Sequence, residues 1–248
     1  RAFTALEVKA NFVPPLMVQP PVQKVPDLMP GGQQSVELLC CSTTRDHFKV
    51  EVKELGGDPN FVCQWHPLTK EERDKLVEGI NMPGRKPTQI KSGYRVTVTI
   101  YEELKGKHLD MGPFQHTLVL ANDLDFELKA ELQGTVRGEV QVGTADDRDR
   151  IDLGYFRADD GASRTVPLDC ARSGLELEVD SKEPSYLEVQ PLGGGKVLPE
   201  GGKRWELTVA VPRNLPGDRL PEHSAIILKT KDKPPRRIRI PVVGHAYR

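Results

Sequence analysis

Ser35-Val36-Glu37-Leu38-Leu39-Cys40 and Arg164-Thr165-Val166-Pro167-Leu168-Asp169-Cys170 decide the fold. Both carry apolar side chains at alternating positions, the period of a strand that turns one face to a core and one to water. Each follows a similar lead: Val25-Pro26-Asp27-Leu28 and a glycine turn before the first, Arg150-Ile151-Asp152-Leu153 and a turn with Gly161 before the second. The parallel continues downstream. Tyr94-Arg95-Val96-Thr97-Val98 matches Arg204-Trp205-Glu206-Leu207-Thr208-Val209, and His116-Thr117-Leu118-Val119-Leu120 matches His223-Ser224-Ala225-Ile226-Ile227-Leu228. Each copy closes on a strand that runs into glycine, Leu132-Gln133-Gly134-Thr135-Val136 and Val242-Val243-Gly244-His245-Ala246. One unit has therefore been used twice.

Outside the repeat the same alternation recurs, in Phe48 to Val52, Phe126 to Leu132 and Leu175 to Val179. Pro30-Gly31-Gly32, Gly56-Gly57-Asp58-Pro59, Gly193-Gly194-Gly195 and Pro216-Gly217 punctuate it. Short alternating strands with turn signals between them predict an all-β chain of two tandem immunoglobulin-like β-sandwich domains, 16–136 and 137–248. The exception is Thr69-Lys70-Glu71-Glu72-Arg73-Asp74-Lys75-Leu76-Val77, which opens on an N-cap residue followed by glutamates and reads as a short helix. Cys40 to Leu118 spans 78 positions and Cys170 to Ile226 spans 56, so the first copy holds 22 extra residues. They fall at about 66–91, a helical insertion in the first domain and its candidate contact surface. Residues 4–15 resemble the closing strand of each copy, so 1–15 is read as the terminal strand of a preceding domain or as a linker, within a longer multidomain chain.

The chain has 248 residues, 37% hydrophobic and 29% charged, with a net charge of −1. Such a balance builds cores but no general positive field, which argues against nucleic acid as partner. No apolar run approaches the roughly 20 residues of a membrane helix, so direct membrane insertion is not expected, and the first residues lack a signal-peptide pattern. Four cysteines without a Cys-x-x-Cys pair give no zinc set. Cys40, Cys41 and Cys170 are expected as small core side chains, with a bridge from Cys40 or Cys41 to Cys63 left open.

Asp152-Leu153-Gly154 before Arg164-Thr165-Val166-Pro167-Leu168, and Leu228 to Asp232 running into Arg237-Ile238-Arg239-Ile240-Pro241-Val242-Val243-Gly244, resemble the immunoglobulin-like domains of the ASH/HYDIN and major-sperm-protein-like group. The nearest resemblance is to uncharacterised bacterial, planctomycete-type members, good over 137–248 and looser over 16–136. The resemblance implies a seven-stranded sandwich, a scaffolding or adhesion role outside the cytoplasm, and no catalytic residue. The Cys-x-Cys common in that group is Cys40-Cys41 in one copy and a lone Cys170 in the other, which puts any redox or metal role in doubt.

A search for chemistry returns little. The histidines, 47, 66, 108, 116, 223 and 245, form no His-Glu-x-x-His or His-x-His set. No Gly-x-Ser-x-Gly elbow occurs, and Gly193-Gly194-Gly195-Lys196 lacks the spacing of a phosphate loop. Asp146, Asp147 and Asp149 form the one candidate calcium cluster, opposed by the interleaved Arg148 and Arg150. Lys231 to Arg237 reads as a basic, proline-stiffened turn on the surface. The expectation is a non-enzymatic protein-interaction or structural spacer module without a cofactor, whose contact candidates are Trp65, Glu71, Arg73, Arg236 and Arg237. The alternatives are calcium- or carbohydrate-dependent adhesion, or accessory domains of an enzyme whose catalytic domain lies elsewhere.

Overall fold

The computed structural model describes residues 15–54, 58–80, 89–124, 127–143, 149–214 and 219–248. In chain order the first half runs β1 (Met17–Gln19), β2 (Val22–Lys24), β3 (Gln33–Ser42), β4 (Val50–Glu54), β5 (Phe61–Pro67), α1 (Lys70–Ile80), β6 (Ser92–Tyr101), β7 (Glu103–Leu104), β8 (Lys107–His108), β9 (Gly112–Asn122) and β10 (Leu128–Val136). The second runs β11 (Val140–Val142), β12 (Ile151–Arg157), β13 (Ala162–Cys170), β14 (Leu177–Glu183), β15 (Glu188–Val189), β16 (Lys196–Val197), β17 (Lys203–Val211), β18 (Ala225–Thr230) and β19 (Arg237–Tyr247).

Each half is two facing sheets with one strand order. In the first, β1-β3-β6-β5 faces β2-β10-β9-β4; in the second, β11-β13-β17-β15 faces β12-β19-β18-β14. This is an immunoglobulin-like sandwich made twice. The segments that repeat in sequence occupy equivalent strands, β3 with β13, β6 with β17, β9 with β18 and β10 with β19. The opening strand of each copy splits between the sheets. Pro20 and Pro21 interrupt it in the first copy, where backbone without an N–H cannot continue one ladder. The next piece, β2, then pairs parallel to β10, as β12 pairs parallel to β19.

Alternation explains the layers. Val96, Val98 and Ile100 of β6 and Val36, Leu38 and Cys40 of β3 are buried inward. Outward, Arg95 meets Glu37 at 2.9 Å and the Ser35 and Thr99 hydroxyls lie 3.0 Å apart. The second sandwich repeats the scheme, with Val166, Leu168 and Cys170 of β13 against Trp205, Leu207 and Val209 of β17. Thr165 and Thr208 pair on its outer face at 2.8 Å, and Arg204 grips Asp169 through two bonds of 2.6 and 2.7 Å. Each fully buried aliphatic is worth about 1.5–3 kcal/mol, which makes these two interiors the main source of stability.

The Asp152-Leu153-Gly154 signature is a local device. The Asp152 carboxylate accepts the Gly154 N–H at 2.8 Å, Gly154 has a φ of +67°, and the Arg164 guanidinium donates to the Asp152 carbonyl. The motif thereby turns β12 and fastens it to β13. The helix is longer than the sequence reading, α1 reaching Ile80 instead of Val77. Its start is a reciprocal capping box: the Glu72 N–H donates to Thr69 Oγ1 at 3.2 Å, and the Thr69 N–H to Glu72 Oε2 at 2.8 Å. Residues 1–14, read above as a terminal strand or linker, lie outside the described residues, as do residues 81–88 of the insertion.

Candidate functional site

The feature that stands out is the joint between the sandwiches. It is built from the segment between β6 and β9, held in shape from beneath by Asn60. That side chain is 0% exposed, and its amide donates to the carbonyls of Tyr101 at 3.0 Å, Glu102 at 3.3 Å and Lys107 at 2.9 Å. The β7–β8 hairpin turns through Lys105 and Gly106, both at positive φ, returns Leu109 to the core of the first sandwich and delivers Asp110 and Met111 to the second.

There Met111 behaves as a piece of foreign strand. Its N–H donates to the Arg237 carbonyl at 2.9 Å, and its carbonyl accepts the Arg239 N–H at 2.7 Å, so it bridges β19 beside Ile238. β19 pairs with β12 only from Val242 onward, which leaves the ladder positions before it open for this bridge. The Met111 side chain, 6% exposed, belongs to the core of the second sandwich. Glycines permit the close approach. Gly112 has a φ of +107°, and a Cβ there would sit 2.2 Å from the Arg239 carbonyl oxygen; one on Gly138 would sit 2.1 Å from Met111 Sδ.

Charges surround the plug. Glu102, 1% exposed, accepts the Gly31 N–H at 2.7 Å, pairs with the Arg236 guanidinium and lies 3.2 Å from His108 Nδ1. Burying a carboxylate is costly unless it is paired and hydrogen-bonded in this way. Arg237 reaches Asp180 at 3.4 Å and Asp110 at 3.9 Å, one on each sandwich. Arg137 bonds Asp27 and Asp149 at 2.8 Å each; Asp27 foremost, with Asp149, holds its pKa above the ordinary arginine value. Beside the joint lies an open cleft of about 1050 Å³, lined among others by Lys107, Phe114, His116, His223 and Arg239. His116 packs beside Phe61, 4.2 Å ring to ring, and Phe114, 6.1 Å, which touch each other at 5.9 Å, and burial pushes its pKa below the ordinary histidine value.

The residues singled out in the sequence scatter over this frame. Trp65, 41% exposed, lies on β5, and Glu71 is exposed on the first turn of α1. Arg73 is half-buried and donates to the Lys91 carbonyl, closing the insertion on itself. Arg236 and Arg237, read as part of a surface turn, reach into the joint because Glu102, Asp110 and Asp180 wait there. Asp149 is committed to Arg137, while Asp146 and Asp147 lie outside the described residues. Among the described residues no three His, Cys, Asp or Glu side chains gather to hold a metal, and no helix is long and apolar enough to cross a membrane.

All four cysteines are free. Cys40 on β3 and Cys63 on β5 are separated by β6, and burial pushes both thiols up to about 12. Cys41 faces the other way, under Leu68 of the insertion, where both crowd Gly93. Asn60, Glu102 and Met111 were missed by sequence reasoning. Each is an isolated residue in a loop, and the only local hint is the Met111-Gly112 step at the start of a strand.

The sequence matches no protein-family profile and no curated protein. Among solved structures, a protein of unknown function from Porphyromonas gingivalis W83 is 15% identical, with 94% of this chain covering all of that one at a TM-score of 0.42. The protocadherin gammaB4 extracellular domain is 12% identical, covering 94% of this chain and 32% of that one, TM-score 0.27. Mouse cadherin-23 EC22-24 is 8% identical, covering 94% of this chain and 64% of that one, TM-score 0.27. Likeness this distant transfers no function between chains.

Proposed function

We propose that this chain is a non-catalytic structural spacer, in which two immunoglobulin-like sandwiches joined end to end hold their neighbours at a fixed separation. One observation carries the reading: Met111 of the first sandwich is hydrogen-bonded into a sheet of the second and buried in its core. A flexible tether leaves domains free to reorient, whereas a shared ladder and a shared core do not. The charges of the joint are paired within the chain, which supports a mechanical role for them over a catalytic one. Trp65 and Glu71 are the exposed side chains through which the first sandwich would meet a protein partner. Membership of the ASH/HYDIN and major-sperm-protein-like group is part of the proposal, supported by the fastening that its Asp-Leu-Gly motif performs at β12.

The test is a distance distribution between spin labels at Lys53→Cys and Glu188→Cys, one on each sandwich. A stiff spacer gives one narrow peak that broadens when Met111 is replaced by serine. A broad distribution in the parent chain overturns the reading.

A further inference from the structure

Among the described residues, four strands of five or more residues lie at sheet edges: β4, β5, β12 and β14. An open edge invites another strand, and proteins guard against this with charges and bulges. Three of the four are guarded. β4 carries Glu51 and Lys53 and shifts register between Val52 and Glu54. β12 carries Asp152 and Arg157 and shifts between Asp152 and Tyr155. β14 carries Glu178, Asp180, Lys182 and Glu183 and shifts between Val179 and Ser181.

β5 has neither defence. Phe61-Val62-Cys63-Gln64-Trp65-His66-Pro67 contains no Asp, Glu, Lys or Arg, and it pairs with β6 through seven consecutive positions without a shift. Val62 and Trp65 stand exposed on it. The Tyr101 N–H donates to the Asn60 carbonyl at 2.8 Å, which fixes the alternation of the ladder. Val62, Gln64 and His66 therefore spend their backbone groups on β6, while the N–H and C=O of Cys63 and Trp65 point outward. Pro67, without an N–H, marks where the open edge ends.

We propose that β5 pairs antiparallel with β5 of a second copy of this chain, about a twofold axis at Gln64. In that register Cys63 lies opposite the partner's Trp65, and the reverse, so the four outward N–H groups meet four outward carbonyls. A strand without charge can face itself with no like charges opposed, and it offers a charged foreign segment nothing to pair with. A twofold contact also closes, which gives a dimer and leaves the edge covered. The inference does not depend on the joint between the sandwiches; it goes beyond the spacer reading by giving the exposed Trp65 a second copy of this chain as its partner.

Two variants test it in a Cys63→Ala background. With Gln64→Cys, the two introduced thiols form a non-hydrogen-bonded pair about 4.5 Å apart at Cα, within disulfide reach. With Val62→Cys they lie about 13 Å apart, four strand residues out of register, and stay unlinked. Mild oxidation should thus crosslink the first variant and not the second. Trp65→Lys, whose folding is checked by its melting curve, should weaken association of the otherwise native chain roughly tenfold or more, measured by sedimentation. A parent chain that sediments at 27.6 kDa at every concentration overturns the proposal. So does equal crosslinking of the two variants, or a monomer that captures a foreign extended peptide on this edge.

Discussion

Met111→Ala removes the plug of the joint without touching its backbone bonds, and its cost can be worked out. Three heavy atoms beyond Cβ leave a site that is 6% exposed. At about 0.8 kcal/mol per buried methylene-sized group the transfer loss is about 2.5 kcal/mol. The pocket cannot collapse fully, because Gly138 and the β19 backbone are fixed around it, and buried Met-to-Ala changes cost about 2–5 kcal/mol. We expect about 3 kcal/mol from the transition of the second sandwich, although the residue belongs in sequence to the first. Equilibrium urea unfolding reads this as a midpoint lower by about 1–1.5 M. Met29→Ala, at 59% exposure, is the control and should stay within about 0.5 kcal/mol. The Arg239 amide, which donates to the Met111 carbonyl, should also exchange faster in the variant. If the two methionine variants unfold alike and the Arg239 amide keeps its protection, the joint is not what holds the sandwiches.

Three further outcomes are expected. Arg236→Ala strands the buried Glu102 carboxylate and should cost about 3–5 kcal/mol in urea unfolding, against less than about 1 for the exposed Arg157→Ala; equal small losses would refute the buried pair. His116 is held neutral by burial, so the unfolded chain binds its proton more readily; stability should fall as pH drops below 6.5, and the His116→Gln variant should lose part of that slope, an unchanged slope counting against it. Millimolar calcium should leave the melting temperature unchanged, since the Asp149 carboxylate is engaged by Arg137; a rise of several degrees would restore the adhesion reading.

Strand content, the doubled unit and the place of the insertion were legible because alternation is a local signal. Val96-Thr97-Val98-Thr99-Ile100 declares which face is buried without reference to anything else in the chain. The capping box at Thr69 was legible for the same reason. The joint was not. Glu102 and Arg236 lie 134 positions apart, and nothing in a basic turn announces a buried carboxylate on another domain. Met111 offers no periodicity, and Asn60 looks like any turn asparagine until three carbonyls converge on it. Arg236, which read as surface charge, is drawn inward by a carboxylate that only the folded chain supplies, and Arg73, a contact candidate in the sequence, turns back onto the Lys91 carbonyl. The open edge at β5 likewise emerges only when its neighbours are known, since a lack of charge matters only on a strand that has one free side.

Residual dipolar couplings of backbone amides, measured across both sandwiches in one weakly aligned sample, test the central claim most directly. A joint closed by Met111 and Glu102 predicts that a single alignment tensor fits both halves in the arrangement described. Tensors that differ in magnitude or orientation between residues 15–136 and 149–248 would show two independently moving domains, and would contradict it.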